Sequence, residues 1–189
     1  MRIIAGLAKG MPLAVPRVGV RPTADRIREA IFSSLGERVS GASVLDLFAG
    51  TGALGLEAAS RGAAAVTFVE NARDALESLE KNTEEFANRL RSAEAAPTPL
   101  EITRGNVVAG LERMPAEGNV FSLIFADPPY GEAAQELLVD ENLPRLLAAG
   151  GTLVLESAKR EVLTVGKPWE LMRESVYGDT RVSFLRTNP

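Results

Sequence analysis

Asp127, Pro128, Pro129 and Tyr130 close the apolar run VFSLIFA, and their order suits them to a particular chemistry. The run reads as a strand; two prolines stop it, stiffen the backbone and hold Asp127 extended. A rigid carboxylate beside backbone carbonyls is an array of acceptors suited to an exocyclic NH₂ group. Tyr130 can lie against the flat face of a base. A site of this kind works mostly by positioning. The same residues would also serve as a chain reversal with Tyr130 in the core, although an Asp placed there without a ligand to meet is costly.

A second group precedes it. Gly50-Thr51-Gly52-Ala53-Leu54-Gly55 follows an apolar run and opens a helix, and Glu70 stands twenty residues after Gly50 at the end of the next run. Glycines let the backbone approach a ligand closely, and a carboxylate at Glu70 can hold ribose hydroxyls, which is the context of a dinucleotide site. S-adenosylmethionine has the ribose but no pyrophosphate, so the loop admits either cofactor. Asp46 favours the second: it would repel a dinucleotide's phosphates and attract an ammonium and a sulfonium. Asp46 as a structural acid bonded to loop amides is the other reading.

Two absences narrow the chemistry further. The 189 residues include neither Cys nor His. Thiol nucleophiles, Ser-His-Asp triads, Cys/His zinc sites and a histidine base are excluded together, as is cysteine attack on a cytosine ring. No metal is expected. A cysteine-free chain fits the cytosol, and no run approaches the ~18 apolar residues of a membrane span, so we expect a soluble cytoplasmic protein with no membrane partner. The net charge of −4 hides an asymmetry: residues 1–43 carry seven Arg or Lys against three acids, residues 44–189 fourteen against twenty-two. A basic arm on an acidic body points to an anionic partner.

Elements must position these residues. RIIAG and MPLAVP read as two short strands around Gly10 and Pro12. Pro22 and a Thr23 cap start a helix that buries Ile27, Ala30, Ile31, Ser34 and Leu35, with Arg21, Arg26 and Arg28 before it or on its flanks. SVLDLF, AAVTFVE, LEITRG, VFSLIFA and GGTLVLES read as strands. A helix runs from the glycine loop to Arg61 with Gly62 as its cap; another has the stripe Ala75, Leu76, Leu79, Phe86 and Leu90, and a third runs through Ala134, Leu137 and Leu138. ELMRESVY and RVSFLR flank Gly178-Asp179, a hairpin signal. This alternation predicts an α/β fold: a mostly parallel sheet covered on both faces, with an antiparallel hairpin at one edge. Ligands bind outside the carboxyl ends of such strands, which puts Asp127 beside the glycine loop.

The motifs carry a resemblance. DPPY at the fourth strand with D-x-F-A-G-x-G at the first resembles class I methyltransferases that act on exocyclic amines. With MRIIAG, RPTADRIREAIF, VLDLFAGTGALGLEAASRGA, FVE and YGDT, the whole chain is similar to the bacterial small-subunit rRNA guanine-N2 methyltransferases of the RsmD type. The resemblance implies a Rossmann-like class I fold with a seven-stranded sheet in residues 43–189, and a basic arm and helix in residues 1–42. It implies S-adenosylmethionine as cofactor, with Asp46, Ala49, Gly50 and Gly52 at its methionine end and Glu70 at its ribose. Asn106 stands where the family commonly has an acid, at the adenine. Asp127, Pro128 and Tyr130 would hold the guanine. Arg2, Lys9, Arg17, Arg21 and Arg26 belong to the segment expected to meet RNA phosphates, and Arg21, Thr23 and Arg26 are equally placed to hold the cofactor carboxylate. The implied partner is small-subunit rRNA in a partly assembled particle, met by a monomer. DNA adenine-N6 methylation, nicotinamide-dependent redox chemistry and non-catalytic RNA binding remain as alternatives.

Overall fold

Seven strands alternate with helices along the chain: β1 (Ser43–Leu47), β2 (Ala65–Glu70), β3 (Leu100–Arg104), β4 (Phe121–Ala126), β5 (Leu147–Ala158), β6 (Trp169–Tyr177) and β7 (Thr180–Thr187). The computed structural model describes residues 1–16, 25–129 and 131–188. The strands form one sheet in the order β3-β2-β1-β4-β5-β7-β6. Pairing is parallel from β3 to β5 and antiparallel at β5–β7 and β7–β6. The chain runs outward from β1 to β3, returns to β4 on the other side of β1, and continues to β5. This reversal of order opens a crevice at the carboxyl ends of β1 and β4.

Alternate strand residues supply two cores, as the two-residue period of a doubly covered sheet requires. Val44, Val66, Phe68, Leu123, Phe125 and Val154 pack under α1 (Asp25–Leu35), α2 (Ala53–Ser60) and α3 (Arg73–Ser92). Leu45, Leu47, Val69, Ile124, Ala126 and Leu155 pack under α4 (Val107–Ala116), α5 (Ala133–Val139) and α6 (Leu143–Leu146). From residue 43 onward the expected strands, helices and Gly178-Asp179 turn are present; α4 and α6 are additional. Both lack a strong helical signal, since α4 carries Gly110 and Pro115 and α6 has four residues.

The amino-terminal segment departs from expectation. RIIAG and MPLAVP do not form two strands; a single antiparallel bridge joins Arg2 and Pro12. The amides of Ile3, Gly10 and Leu13 pair across this loop and those of Lys9 and Met11 close turns within it, but four of the intervening ones turn to α2. Ile4 and Ala5 N–H donate to the Glu57 carboxylate (2.7 and 3.1 Å), Leu7 N–H to Ser60 carbonyl (2.8 Å) and Ala8 N–H to Ser60 Oγ (2.9 Å). Side chains of α2 therefore replace a ladder partner. Ile3, Ala8, Met11 and Leu13 are buried in the same core as α1 to α3.

In α1 the buried face is Ile27, Arg28, Ile31, Phe32 and Leu35; Ala30 and Ser34 are only half-buried. Arg28 is thus not a flanking cation. It is fully buried, donating to Arg2 carbonyl (2.6 Å) and Asp25 Oδ1 (2.9 Å). Burial pulls its pKa down, opposed by the charges of Asp25, Glu57 and Glu156.

Candidate active site

Strand register brings the expected carboxylates together. Leu47 pairs with Val69 on one side and Ala126 on the other, so the next residues, Phe48, Glu70 and Asp127, lie level at the carboxyl ends of three adjacent strands. Asp46, one residue earlier than Leu47, is directed to the α2 face.

Asp46 is 2% exposed, and its Oδ2 accepts the Gly55 N–H at 2.9 Å. Gly55 lies in the first turn of α2, where backbone N–H groups lack helical partners. The N-cap of α2 is Gly52, which has no side chain to offer; a carboxylate from β1 does the capping instead and meets the positive end of the helix dipole. Asp46 is thus bonded to the backbone of the glycine motif, as one of its two readings expects, and it also lies in a cluster with Glu70 and Asp127. Burial pushes its carboxyl up to about 8, and the charges of Asp127 and Glu70 push the same way. The Gly55 N–H is the opposing influence, and no Lys or Arg among the described residues offsets the rise.

Glu70 accepts three backbone N–H groups: Gly50 on Oε2 (2.8 Å), and Asn71 and Ala72 on Oε1 (2.8 and 2.7 Å). Oε2 retains lone-pair capacity for a ligand hydroxyl. The Glu70 carbonyl takes the Gly105 N–H at 2.9 Å, which draws the Gly105-Asn106 turn to the same rim. Asn106 is exposed and caps α4, accepting the Val108 N–H on Oδ1 at 2.8 Å. Its carbonyl is therefore shared with a cap, and its amide donors are left for other partners.

The glycine loop is narrow for two reasons. A Cβ on Gly55 would stand 2.3 Å from the Phe68 ring, so this glycine lets α2 lie close on β2. Phe48, Gly50 and Gly52 have φ of 58°, 57° and 77°. Left-handed backbone is unusual for a bulky residue such as Phe48, and no local signal in the sequence marks that position. Ala49, between them, is buried and donates its N–H to Val69 carbonyl (3.1 Å).

Asp127 is half-buried, Pro128 buried and Pro129 exposed. Tyr130, Arg17, Arg21 and Thr23 lie outside the described residues. Arg2, Lys9 and Arg26 are exposed. Arg2 and Lys9 line a groove of about 200 Å³ that Asp25 and Glu29 also border, so acids offset part of their charge.

Sequence reading also missed two residues that hold the site's surroundings. Asn82 on α3 donates from Nδ2 to Thr51 carbonyl (2.9 Å) and Ala14 carbonyl (3.0 Å) and accepts the Ala14 N–H (2.7 Å), joining the amino-terminal segment to the glycine loop. Glu161, just after β5, accepts the Gly131 N–H at 2.8 Å. Asn82 sits on the expected stripe of α3, three residues after Leu79, where a buried polar residue was the available signal; Glu161 carried none.

Over residues 1–186 the chain matches the family described as conserved hypothetical protein 95. The chain belongs to this family. It is 36% identical over 184 residues to the ribosomal RNA small subunit methyltransferase D of Escherichia coli K12, covering 94% of this chain and 85% of that one. A solved structure of a hypothetical protein of Thermus thermophilus superposes with a TM-score of 0.78 at 31% identity, covering 99% of both chains. A precorrin-6y C5,15-methyltransferase of Geobacter metallireducens shares the fold alone, with a TM-score of 0.66 at 15% identity over 93% of each chain. The fold of this family member is that of class I S-adenosylmethionine-dependent methyltransferases.

Proposed function

We propose that the protein transfers a methyl group from S-adenosylmethionine to the exocyclic N2 amine of a guanine in small-subunit ribosomal RNA. The observation that carries this reading is the convergence of three carboxylates, Asp46, Glu70 and Asp127, at the crevice. A cationic ligand fits that donor set. A pyrophosphate would face the carboxylates, and the Gly50 N–H that could cradle it is given to Glu70. The name of the Escherichia coli relative supports the substrate class.

S-adenosylmethionine supplies an electrophilic methyl group on a sulfonium. Asp46, with the backbone of Ala49, Gly50 and Gly52, would hold its amino-acid end, Glu70 its ribose, and the Asn106 amide its adenine. Asp127 and the carbonyls beside Pro128 accept from the guanine amine and fix its nitrogen toward the methyl, while Tyr130 stacks on the base. Positive charge grows on the nitrogen as the C–N bond forms and the C–S bond breaks, and the Asp127 carboxylate stabilises it. The surplus proton leaves the nitrogen after transfer. The guanine must be unstacked, at a cost of a few kcal/mol, which a loop in RNA lowers.

Residues 1–42 would serve as the RNA-facing segment and residues 43–189 as the transferase domain, the protein acting as a cytoplasmic monomer on a partly assembled subunit. An acidic body with a small basic arm favours a protein-containing particle over bare RNA. No described helix is long and apolar enough to cross a membrane.

The test is transfer of labelled methyl to small subunits, naked rRNA and DNA by wild type and by Asp127→Ala. The variant should lose transfer by ~100-fold or more, the scale of a misplaced reacting group. Its affinity for S-adenosylmethionine should stay nearly intact, since Asp46 and Glu70, which would hold the cofactor, remain. Near-wild-type turnover would overturn the assignment, and labelling of DNA alone would redirect the substrate.

A further inference from the structure

The loop that follows Asp127 has few ways to be held. Pro128 and Pro129 have no N–H, so backbone donors resume only at Tyr130 and Gly131. The Gly131 N–H donates to Glu161 Oε1 at 2.8 Å, and Gly131 has a φ of 122°, a conformation that side-chain-bearing residues rarely adopt. The other oxygen, Oε2, accepts the N–H of Ala158, the last residue of β5, at 3.3 Å. One carboxylate thus bridges the loop after β4, which begins at Asp127, and the end of the neighbouring strand β5.

Glu161 is itself held. Its N–H closes a turn onto Ala158 carbonyl at 3.0 Å, and Lys159 N–H donates to Asp179 carbonyl in the β6–β7 hairpin at 2.8 Å. Arg181 on β7 donates through Nη1 to Glu161 carbonyl and through Nη2 to Lys159 carbonyl (3.1 Å), while its Nε faces Glu174 Oε1 at 3.3 Å. Gln135 on α5 exchanges two hydrogen bonds with Thr164, fixing the same connection four residues after Gly131. The edge hairpin therefore bears on the Asp127 loop through Arg181 and Glu161.

We propose that Glu161 is a positioning residue for the target-base loop, fixing Gly131 and with it the backbone that leads from Asp127 to α5. The inference rests on the reading of the crevice at Asp127 as the guanine pocket. A carboxylate accepting a backbone N–H is a strong, charge-assisted hydrogen bond. It holds the loop without touching substrate or cofactor.

The experiment compares Glu161→Ala and Glu161→Gln with wild type in the full chain. Glutamine keeps one acceptor oxygen for Gly131; alanine keeps none. Three quantities are read: amide exchange of the loop from Gly131 through α5, the affinity for S-adenosylmethionine, and kcat and KM for methyl transfer to small subunits. Glu161→Ala should exchange faster in the loop and lose kcat by about 100-fold, the effect of an ångström-scale misplacement. Its cofactor affinity and thermal midpoint should stay close to wild type, and Glu161→Gln should recover most of the kcat. Unchanged exchange and kcat in Glu161→Ala would overturn the proposal, as would a kcat loss matched by impaired cofactor binding or a Glu161→Gln no better than Glu161→Ala. Should wild type label no small subunits while loop exchange still responds to Glu161, the anchoring stands and the substrate reading fails.

Discussion

Asp46 is asked to be two things at once. It caps α2 through Gly55, which favours its charge, yet it is buried beside Glu70 and Asp127, which disfavours it, and the balance leaves its carboxyl raised to about 8. At neutral pH the ligand-free protein therefore holds a proton there that the unfolded chain does not. Stability then falls as pH rises from the usual carboxylate range to about 8, because the native state binds the extra proton throughout that window. A bound cation reverses the preference. Affinity for S-adenosylmethionine should climb with pH and level off above about 8, with up to one proton released on binding at neutral pH. Calorimetry in buffers of different ionisation enthalpy reads that proton directly. Asp46→Asn keeps an acceptor for Gly55, so it should remove the pH slope, raise the thermal midpoint at pH ~8 by ~2 °C or more, and weaken cofactor binding. A binding constant flat across the range from about pH 6 to 9 would separate Asp46 from the cofactor. Asp46, Glu70 and Asp127 were legible in the sequence because each sits at a fixed offset from a local motif. The partners of Glu161 and Asn82 were not, because Gly131 and Ala14 are thirty and sixty-eight residues away: the place of Asn82 on the apolar stripe of α3 signals burial but not what it holds, and nothing local marks Glu161 at all. The Asn106 carbonyl shows the converse: its position is legible, but its use as a helix cap depends on α4, whose Gly110 and Pro115 blur the helical signal.

At the scale of elements, the five parallel strands and the closing hairpin could be read directly, since short apolar runs and a Gly-Asp turn are local signals. The amino-terminal segment could not. Its apolar and turn residues suit a hairpin, but its amides go to Glu57 and Ser60, so its structure is decided by α2 fifty residues on. Gly6 and Gly10 separate these contributions. Both have left-handed φ, of 81° and 82°, but a Cβ on Gly6 would stand 1.8 Å from Ser60 carbonyl oxygen whereas one on Gly10 meets nothing within 4 Å. Gly10→Ala should cost only the backbone strain of ~1–2 kcal/mol. Gly6→Ala adds a clash with backbone that cannot rotate away, a further ~1–3 kcal/mol, and should free residues 1–16 from α2. Thermal midpoints and the rate of proteolysis within that segment check the pair. Equal midpoints would mean that the segment's packing on α2 contributes nothing beyond local geometry.

For the whole molecule, the distribution of charge decides how RNA can approach. The chain is net negative, and the crevice itself is lined by carboxylates. A polyanion reaching that crevice must be held by charges outside it, and Arg2, Lys9 and Arg26 are exposed on residues 1–42, where the basic excess lies. Arg2 is already 3.9 Å from Asp25, and Asp25 and Glu29 border the groove that Arg2 and Lys9 share, so each cation works against nearby acids. Binding to bare RNA should accordingly be weak, with a shallow salt dependence set by the small number of phosphates engaged. Removing one cation from a phosphate lowers the slope of log affinity against log salt by about 0.7–0.9. Lys9→Glu and Arg26→Glu should each flatten it by about one such step and weaken RNA binding at low salt. Neither residue lines the carboxylate cluster, so for Lys9→Glu the affinity for S-adenosylmethionine should stay unchanged. Arg26→Glu divides the two roles its position allows: a flattened slope with intact cofactor affinity assigns it to RNA, and the reverse assigns it to the cofactor carboxylate. If both substitutions leave the slope untouched, residues 1–42 are not the RNA-facing surface, and the acidic body must reach its substrate by binding something other than phosphates.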